Sequence, residues 1–240
     1  MTIQTPYPPP TQALIIVAKE PQPGRVKTRL GATLGYERAA SLYRAFTSDT
    51  LRLTATLVHT TLALAYWPPE GDAYFRALAD PDIGVFSQKG ADFGARLHNA
   101  FTMLAEQGHT RLVLIGTDSP SLPVEHIIQA FALLDDPACD VVLGPCDDGG
   151  WYLMGLRQPH HALFEHIPWS TDAVYQATCD QAGAAGLRVM TLPLWYDVDT
   201  QSDLERLYHD LVARPNAVES ATLPLLRPLF MPPQPLSDGD

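Results

Sequence analysis

The stretch of this chain with the most chemical potential comes early: Lys19-Glu20-Pro21-Gln22-Pro23-Gly24-Arg25-Val26-Lys27-Thr28-Arg29-Leu30. Lys19, Arg25, Lys27 and Arg29 stand within 11 residues of one another, in a chain that has 16 lysines and arginines in all. Pro21, Pro23 and Gly24 tighten the loop. Gly24 would let the backbone approach an anion that the side chains neutralise. The glycine spacing is neither that of a Walker A loop nor that of a dinucleotide fingerprint. A basic run of this kind is ordinarily a solvated turn. Directly after an apolar, strand-like run it reads better as a phosphate-binding loop.

Carboxylates follow downstream. Gly116-Thr117-Asp118-Ser119-Pro120 closes the strongest strand-like run, residues 112–116. Asp118 there suits a hard divalent cation, and it equally suits a cap for the following turn or helix. Asp147-Asp148-Gly149-Gly150 reads as a turn between strands, and Asp148, Gly149 and Gly150 could also meet a ligand at close range. In Tyr196-Asp197-Val198-Asp199-Thr200, Thr200 caps the last helix with Asp203 completing a capping box. That leaves Asp199 as a candidate second metal carboxylate. Gly94 and Arg96 begin a helix at another strand end and could offer backbone amides and a guanidinium. Cys146 has no histidine partner in sequence, and His160-His161 lacks metal-ligand spacing. Trp151, Trp169 and Trp195 read as core or rim, with Trp169 the one placed to line a pocket.

These residues need a scaffold, and the apolar pattern supplies one. Short apolar runs at 14–18, 57–66, 83–86, 112–116, 141–144, 151–156 and 187–192 predict strands. Helical spacing predicts helices over 39–53, 93–106 and 124–134, and after Thr200, the last burying Leu204, Leu207, Tyr208 and Leu211. Such alternation predicts a three-layer α/β/α domain around a mostly parallel sheet, with ligands beyond the carboxyl ends of the strands. The domain is expected over residues 13–213, between a proline-rich irregular N-terminal tail (1–12) and a proline-rich irregular C-terminal tail (214–240).

Composition removes several functions. A formal net charge of −11 opposes general binding to nucleic acid or to anionic membranes. No apolar run reaches the roughly 18 residues that a membrane span needs. The N-terminus has no basic, then apolar leader pattern, and three scattered cysteines make no disulfide framework. A cytoplasmic location is the expectation. The oligomeric state is left open, a homo-oligomer included.

Taken in order, four segments resemble the DUF2064 family, also called rSAM/selenodomain-associated transferase 1. This is a glycosyltransferase-like group related to 2-phospho-L-lactate guanylyltransferase. The segments are Ala18-Lys19 with Pro23 to Leu30, Gly116 to Pro120, Gly144-Pro145 with Asp147 to Tyr152, and Asp197 to Thr200 with Asp203-Leu204. The similarity spans about residues 14–211. It implies a GT-A-like, nucleotide-diphospho-sugar transferase fold that binds a nucleotide with Mg²⁺ or Mn²⁺. On that resemblance Arg25, Lys27 and Arg29 belong to the phosphate loop, Lys27 and Asp118 act in catalysis, and Asp118 and Asp199 hold the metal.

Two reactions fit. In nucleotidyl transfer, a small phosphorylated acceptor attacks the α-phosphate of a nucleoside triphosphate, and no protein nucleophile is needed. In glycosyl transfer, the metal holds the diphosphate of a sugar nucleotide. Glycosyltransferases of this fold usually carry Asp-X-Asp at the central strand end, whereas this chain has the single acid of Gly116-Thr117-Asp118. Together with the basic loop, that favours nucleotidyl transfer. A third reading is a nucleotide-binding regulatory protein without turnover.

Overall fold

A computed structural model describes residues 11–214 and 220–231. Seven strands form one sheet: β1 (Gln12–Lys19), β2 (Thr61–Trp67), β3 (Gly84–Ser87), β4 (Arg111–Ile115), β5 (Val141–Pro145), β6 (Trp151–Leu156) and β7 (Val189–Thr191). The described helices are α1 (Thr28–Leu34), α2 (Tyr36–Thr54), α3 (Asp72–Leu78), α4 (Phe93–Glu106), α5 (Val124–Asp135), α6 (Val174–Ala184), α7 (Gln201–Val212) and α8 (Leu223–Phe230). Short 3₁₀ turns lie at Pro69–Gly71 and His161–Phe164.

The strand order is β3-β2-β1-β4-β6-β5-β7. Among the described strands only β6 runs antiparallel, between β4 and β5. The chain leaves β1 towards β2 on one side, and β4 lies on the other. The boundary between β1 and β4 is therefore a topological switch point, where the loops diverge and leave a crevice beyond the strand ends.

Strand alternation divides the core between the two faces of the sheet. Leu14, Ile16, Leu64, Val113 and Ile115 pack against Phe75 of α3 and against Ile127, Phe131 and Leu134 of α5. Ala13, Ile15, Leu112 and Leu114 pack against Leu97, Phe101 and Leu104 of α4, with Ala182 of α6 on the same face. These layers match the predicted three-layer α/β/α, GT-A-like architecture with a mostly parallel sheet. A further cluster joins α1, α2, α7 and α8 through Leu30, Leu42, Phe46, Leu204, Leu207 and Leu226.

Several expectations change. Strand β2 begins at Thr61 rather than at 57, because residues 55–60 form turns after α2. Strand β7 is confined to three residues. Helices α1, α3 and α6 were not anticipated. In α6 the buried positions are Val174, Thr178 and Ala182, too small and too polar to register as an apolar stripe. Within the segment expected to be an irregular C-terminal tail, Leu223–Phe230 is a helix. Its Leu223 and Leu226 are buried, and Asp49 of α2 holds its start by accepting hydrogen bonds from Ser220 Oγ (2.7 Å), Ala221 N (2.6 Å) and Thr222 N (3.0 Å). Tyr208 is half-buried, while Leu204, Leu207 and Leu211 are fully inside. The expectations for residues 1–10, 215–219 and 232–240 lie outside the described residues. No helix among the described residues is long and apolar enough to cross a membrane.

Candidate functional site

The loops after β1 and β4, and the segment that leads from β7 into α7, meet at the switch point. The loop after β1 turns at Gly24, whose φ of 76° lies in the left-handed region. It then delivers Lys27, which has φ 44° and ψ 49° and stands at the start of α1. A lysine held in that region costs of order 1–3 kcal/mol, and such strain persists where the surroundings over-determine it. Lys27 is nearly sealed from solvent, with 3% of its side chain exposed.

What over-determines Lys27 is a pair of carboxylates. Its ammonium forms an ion pair with Asp118 and donates to Asp199 Oδ1 at 3.0 Å. Burial by itself would lower the Lys27 pKa. The charges of Asp118, Asp199 and Asp197 more than reverse this, so the pKa is raised and the ammonium stays charged. Asp118 and Asp199 keep 43% and 36% of their side chains exposed, so both open onto the cleft. Arg29 Nη1 lies 3.6 Å from Asp199 Oδ2. Burial works against the ionised form of Asp199, but Lys27, Arg29 and Lys19 outweigh it and the pKa is lowered.

The approach of residues 195–199 to the β4 loop is fixed by hydrogen bonds. Val198 N donates to Asp118 O at 3.0 Å. Ser119 Oγ lies 2.8 Å from Tyr196 O and 2.6 Å from Asp197 Oδ1. Tyr196 is fully buried, accepts from Ser121 Oγ at 2.9 Å, donates to Asp210 and carries Arg206 over its ring at 3.7 Å. In this extended stretch, side chains two residues apart share a side. Asp197 therefore joins Asp199 at the site, as a third carboxylate that the sequence reading passed over. Burial and the charge of Asp118 push its pKa up to about 7, against the opposing pull of Lys27. The same Asp-X-Asp spacing could have revealed it. Tyr43 of α2 is a second residue missed, because its spacing reads as core. Its hydroxyl accepts from Lys19 N at 3.0 Å and bonds Thr117 Oγ1 at 2.8 Å, tying the two loops together.

Around this centre the cleft has two lobes. The narrower, about 370 Å³, is lined by Lys19, Arg25, Lys27, Arg29 and Arg96, with Trp67 and Gln88 at its far side. The wider, about 750 Å³, shares Lys19, Arg29, Arg96, Asp118, Asp197 and Asp199 with the first. It continues past Asp148 and Gly150 to Trp151 and Trp169. Arg96 is stacked over Trp67, 4.5 Å from the ring centroid, and its buried Nε has no hydrogen-bond partner among the described residues.

The structure thus brings Lys19, Arg25, Lys27, Arg29, Arg96, Asp118, Asp148, Gly150 and Asp199 onto one cleft. It does not bring Gly24, Gly94 or Gly149 to the lining. Gly24 supplies the positive φ of the turn. A Cβ on Gly94 would press into Phe164 O and Trp169 Nε1, and one on Gly149 would collide with Asp172 O. Those two glycines allow loops to pack closely. Of the helix-start amides offered by α4, Ala95 N is already taken by Asp92 Oδ1 at 2.8 Å. Asp147 turns away to Arg206 at 2.7 Å, so only Asp148 of the adjacent acids faces the cleft. The Cys146 thiol is buried and pushed up by burial and by Asp197, which keeps it protonated.

Comparison with known proteins places this geometry in context. Residues 50–171 match the family described as "Uncharacterized protein conserved in bacteria (DUF2064)". A crystal structure from Desulfovibrio desulfuricans G20, of a protein provisionally assigned as a nucleotide-diphospho-sugar transferase, is 37% identical. The match covers 91% of this chain and 94% of that one, with a TM-score of 0.83. CMP:2-keto-3-deoxy-manno-octonic acid synthetase complexed with CTP shares the fold at 14% identity and a TM-score of 0.52, over 82% of this chain and 96% of that one. A cytidylyltransferase from Leptospira borgpetersenii serovar Hardjo-bovis does so at 13% identity and 0.51, over 91% and 92%. No curated protein matches the chain. The fold is that of nucleotide-diphospho-sugar transferases and nucleotidyltransferases, and the chain belongs to the DUF2064 family.

Proposed function

We propose that this protein is a metal-dependent transferase that moves a nucleotidyl group from a nucleoside triphosphate to a small-molecule acceptor. The observation that carries the reading is the Lys27 ammonium held between Asp118 and Asp199 at the floor of a cleft rimmed by Lys19, Arg25, Arg29 and Arg96. Two exposed carboxylates converging on one cation is a donor set that suits Mg²⁺ or Mn²⁺, completed by phosphate oxygens and water. Among the described residues no group of three or more His, Cys, Asp or Glu is arranged to hold an ion by itself. Asp118 and Asp199 would hold the metal, which when bound neutralises charge on the phosphoryl oxygens.

The chain's own residues account for the rest. Lys19, Arg25 and Arg29 stand where they can neutralise the β- and γ-phosphates. Lys27 is placed to donate to the α-phosphoryl oxygens, where negative charge concentrates as the acceptor oxygen attacks. The new bond joins acceptor oxygen to α-phosphorus, the bond to the β-phosphate oxygen breaks, and pyrophosphate leaves. The strained backbone of Lys27 fixes its ammonium before substrate arrives.

A second reading, glycosyl transfer from a sugar nucleotide, draws support from the wider lobe, which has room for a sugar beside Asp118. A panel of nucleoside triphosphates and UDP- or GDP-sugars, each with and without Mg²⁺ or Mn²⁺, separates the readings by thermal shift and pyrophosphate release. Stabilisation by a triphosphate, with activity lost in Asp118→Asn, is the expected result. Stabilisation by sugar nucleotides alone would move the assignment to glycosyl transfer. Metal-independent binding without product, unchanged by Asp118→Asn, would leave a non-catalytic nucleotide-binding protein.

A further inference from the structure

The two lobes of the cleft differ in charge, and the difference bears on the acceptor. Lys19, Arg29 and Arg96 are the cations around the wider lobe among the described residues, and all three also line the narrower one. They stand at the border, on the side given above to the triphosphate. Beyond that border the lining includes Asp148, Gly150, Trp151, Trp169, Thr171 and Asp172.

This wall has a definite chemistry. Trp169 meets Trp151 edge to face, with centroids 6.2 Å apart at 77°, and meets Phe93 likewise at 5.0 Å and 87°. The result is an aromatic corner. Asp148 is exposed and spends Oδ1 on Gly150 N at 2.9 Å, leaving Oδ2 to accept. Asp172 is exposed and forms no ion pair among the described residues. The loops carrying these two acids are locked together, because Gly149 packs directly on Asp172 O and Tyr175 N donates to Gly149 O at 2.9 Å.

A phosphate entering this lobe would face Asp148 and Asp172 with no cation beyond the border to offset them, and like charges oppose binding. A hydroxyl-rich ring meets complementary groups instead. Its hydroxyls can donate to the carboxylates, and its apolar face can lie against the indoles. We infer that the wider lobe is an acceptor subsite for an uncharged polyhydroxy compound of the sugar class, not for a phosphorylated one; the attacking hydroxyl passes its proton to the free Oδ2 of Asp148 as its oxygen bonds the α-phosphorus and pyrophosphate leaves. The inference rests on the nucleotidyl-transfer reading and replaces the phosphorylated acceptor that the sequence favoured.

The test is a fluorescence and calorimetric titration of the full chain with Mg²⁺ and a non-hydrolysable triphosphate analogue bound. The probes are glucose, myo-inositol and glycerol against glucose 1-phosphate, glucose 6-phosphate and glycerol 3-phosphate. The uncharged probes are expected to bind at least tenfold more tightly than their phosphorylated counterparts. The tryptophan signal should fall in Trp151→Phe and Trp169→Phe. In Asp172→Lys, at an exposed position, phosphorylated probes should gain at least tenfold. Tighter binding of phosphorylated probes to the native chain, no binding by either series, or an Asp172→Lys variant with unchanged preference would each overturn the inference. The nucleotide analogue is titrated first and separately. If it fails to bind, the nucleotidyl-transfer reading falls; if it binds and the sugars behave otherwise than stated, only the acceptor inference falls.

Discussion

Replacing Lys27 with methionine removes one buried positive charge while keeping the apolar stem of the side chain up to the ammonium. The difference therefore reports the ammonium. Deleting one member of a buried ion pair costs about 3–5 kcal/mol when the partner is left uncompensated. Here the partners are not fully buried: Asp118 and Asp199 expose 43% and 36% of their side chains. Solvent screens them in the variant, which brings the expected loss to about 2 kcal/mol. For a domain of this size that is a fall in Tm of about 4–8 °C in metal-free buffer. The same change should open the carboxylates to a divalent cation. If Mg²⁺ binds the vacated pair with a Kd of about 1 mM, about 10 mM Mg²⁺ returns some 1.4 kcal/mol, or most of the loss. In the native chain Lys27 competes for the same oxygens, so Mg²⁺ alone should shift Tm little until a triphosphate draws the lysine away. Thermal shift of both proteins, with and without Mg²⁺ and nucleotide, reads each of these states. Equal stability of variant and native chain without metal would refute the reasoning. So would an equal gain from Mg²⁺ in both proteins.

Three other perturbations have signs fixed by the structure. Asp140 accepts from Arg188 Nε at 2.8 Å and Arg188 N at 3.0 Å, and these bonds hold its pKa at about 2, below the usual 3.8. A depressed carboxylate stabilises the fold above its unfolded pKa and ceases to as pH falls through the folded one. The native chain's advantage over Asp140→Asn, about 1 kcal/mol once solvent exposure is allowed for, should therefore shrink between about pH 4 and pH 2 in urea melts. Asp49→Ala deprives Ser220, Ala221 and Thr222 of their acceptor. A loss of about 2–3 kcal/mol is expected, with faster hydrogen exchange in α8 than elsewhere. Gly149→Ala combines a φ of 87° with a collision against Asp172 O. It should lower Tm by several degrees and weaken sugar binding in the wider lobe while leaving triphosphate binding within about twofold.

How far the sequence disclosed this site depends on how local each signal was. Strand runs such as residues 112–116 are buried on both faces and read directly as parallel strands, and the Thr200–Asp203 capping box is contained within four residues. Convergence of the basic loop with Asp118 followed from the rule that α/β sheets bind ligands beyond their strand ends. The pairing of Asp199 with Lys27 was not legible, because Lys27 lies 172 residues earlier and no local pattern encodes it. Asp197 was missed for the opposite reason: its signal was local, but Asp-X-Asp was credited with one functional acid when extended backbone presents both to the same side. The glycines failed differently. A glycine chosen for positive φ, one chosen for close packing and one chosen for ligand approach are identical in sequence, and only the surroundings separate Gly24 from Gly94 or Gly149. Charge sorting between the lobes was likewise invisible, since it arises from where the border falls rather than from any motif. Asp147 and Asp148 make the point at the smallest scale. Adjacent in sequence, they point in different directions, one paired with Arg206 on α7 and the other lining the wider lobe. What the sequence could supply was therefore the inventory of charges near the crevice; which charges meet, and which are left to meet a ligand, is a property of the packed loops.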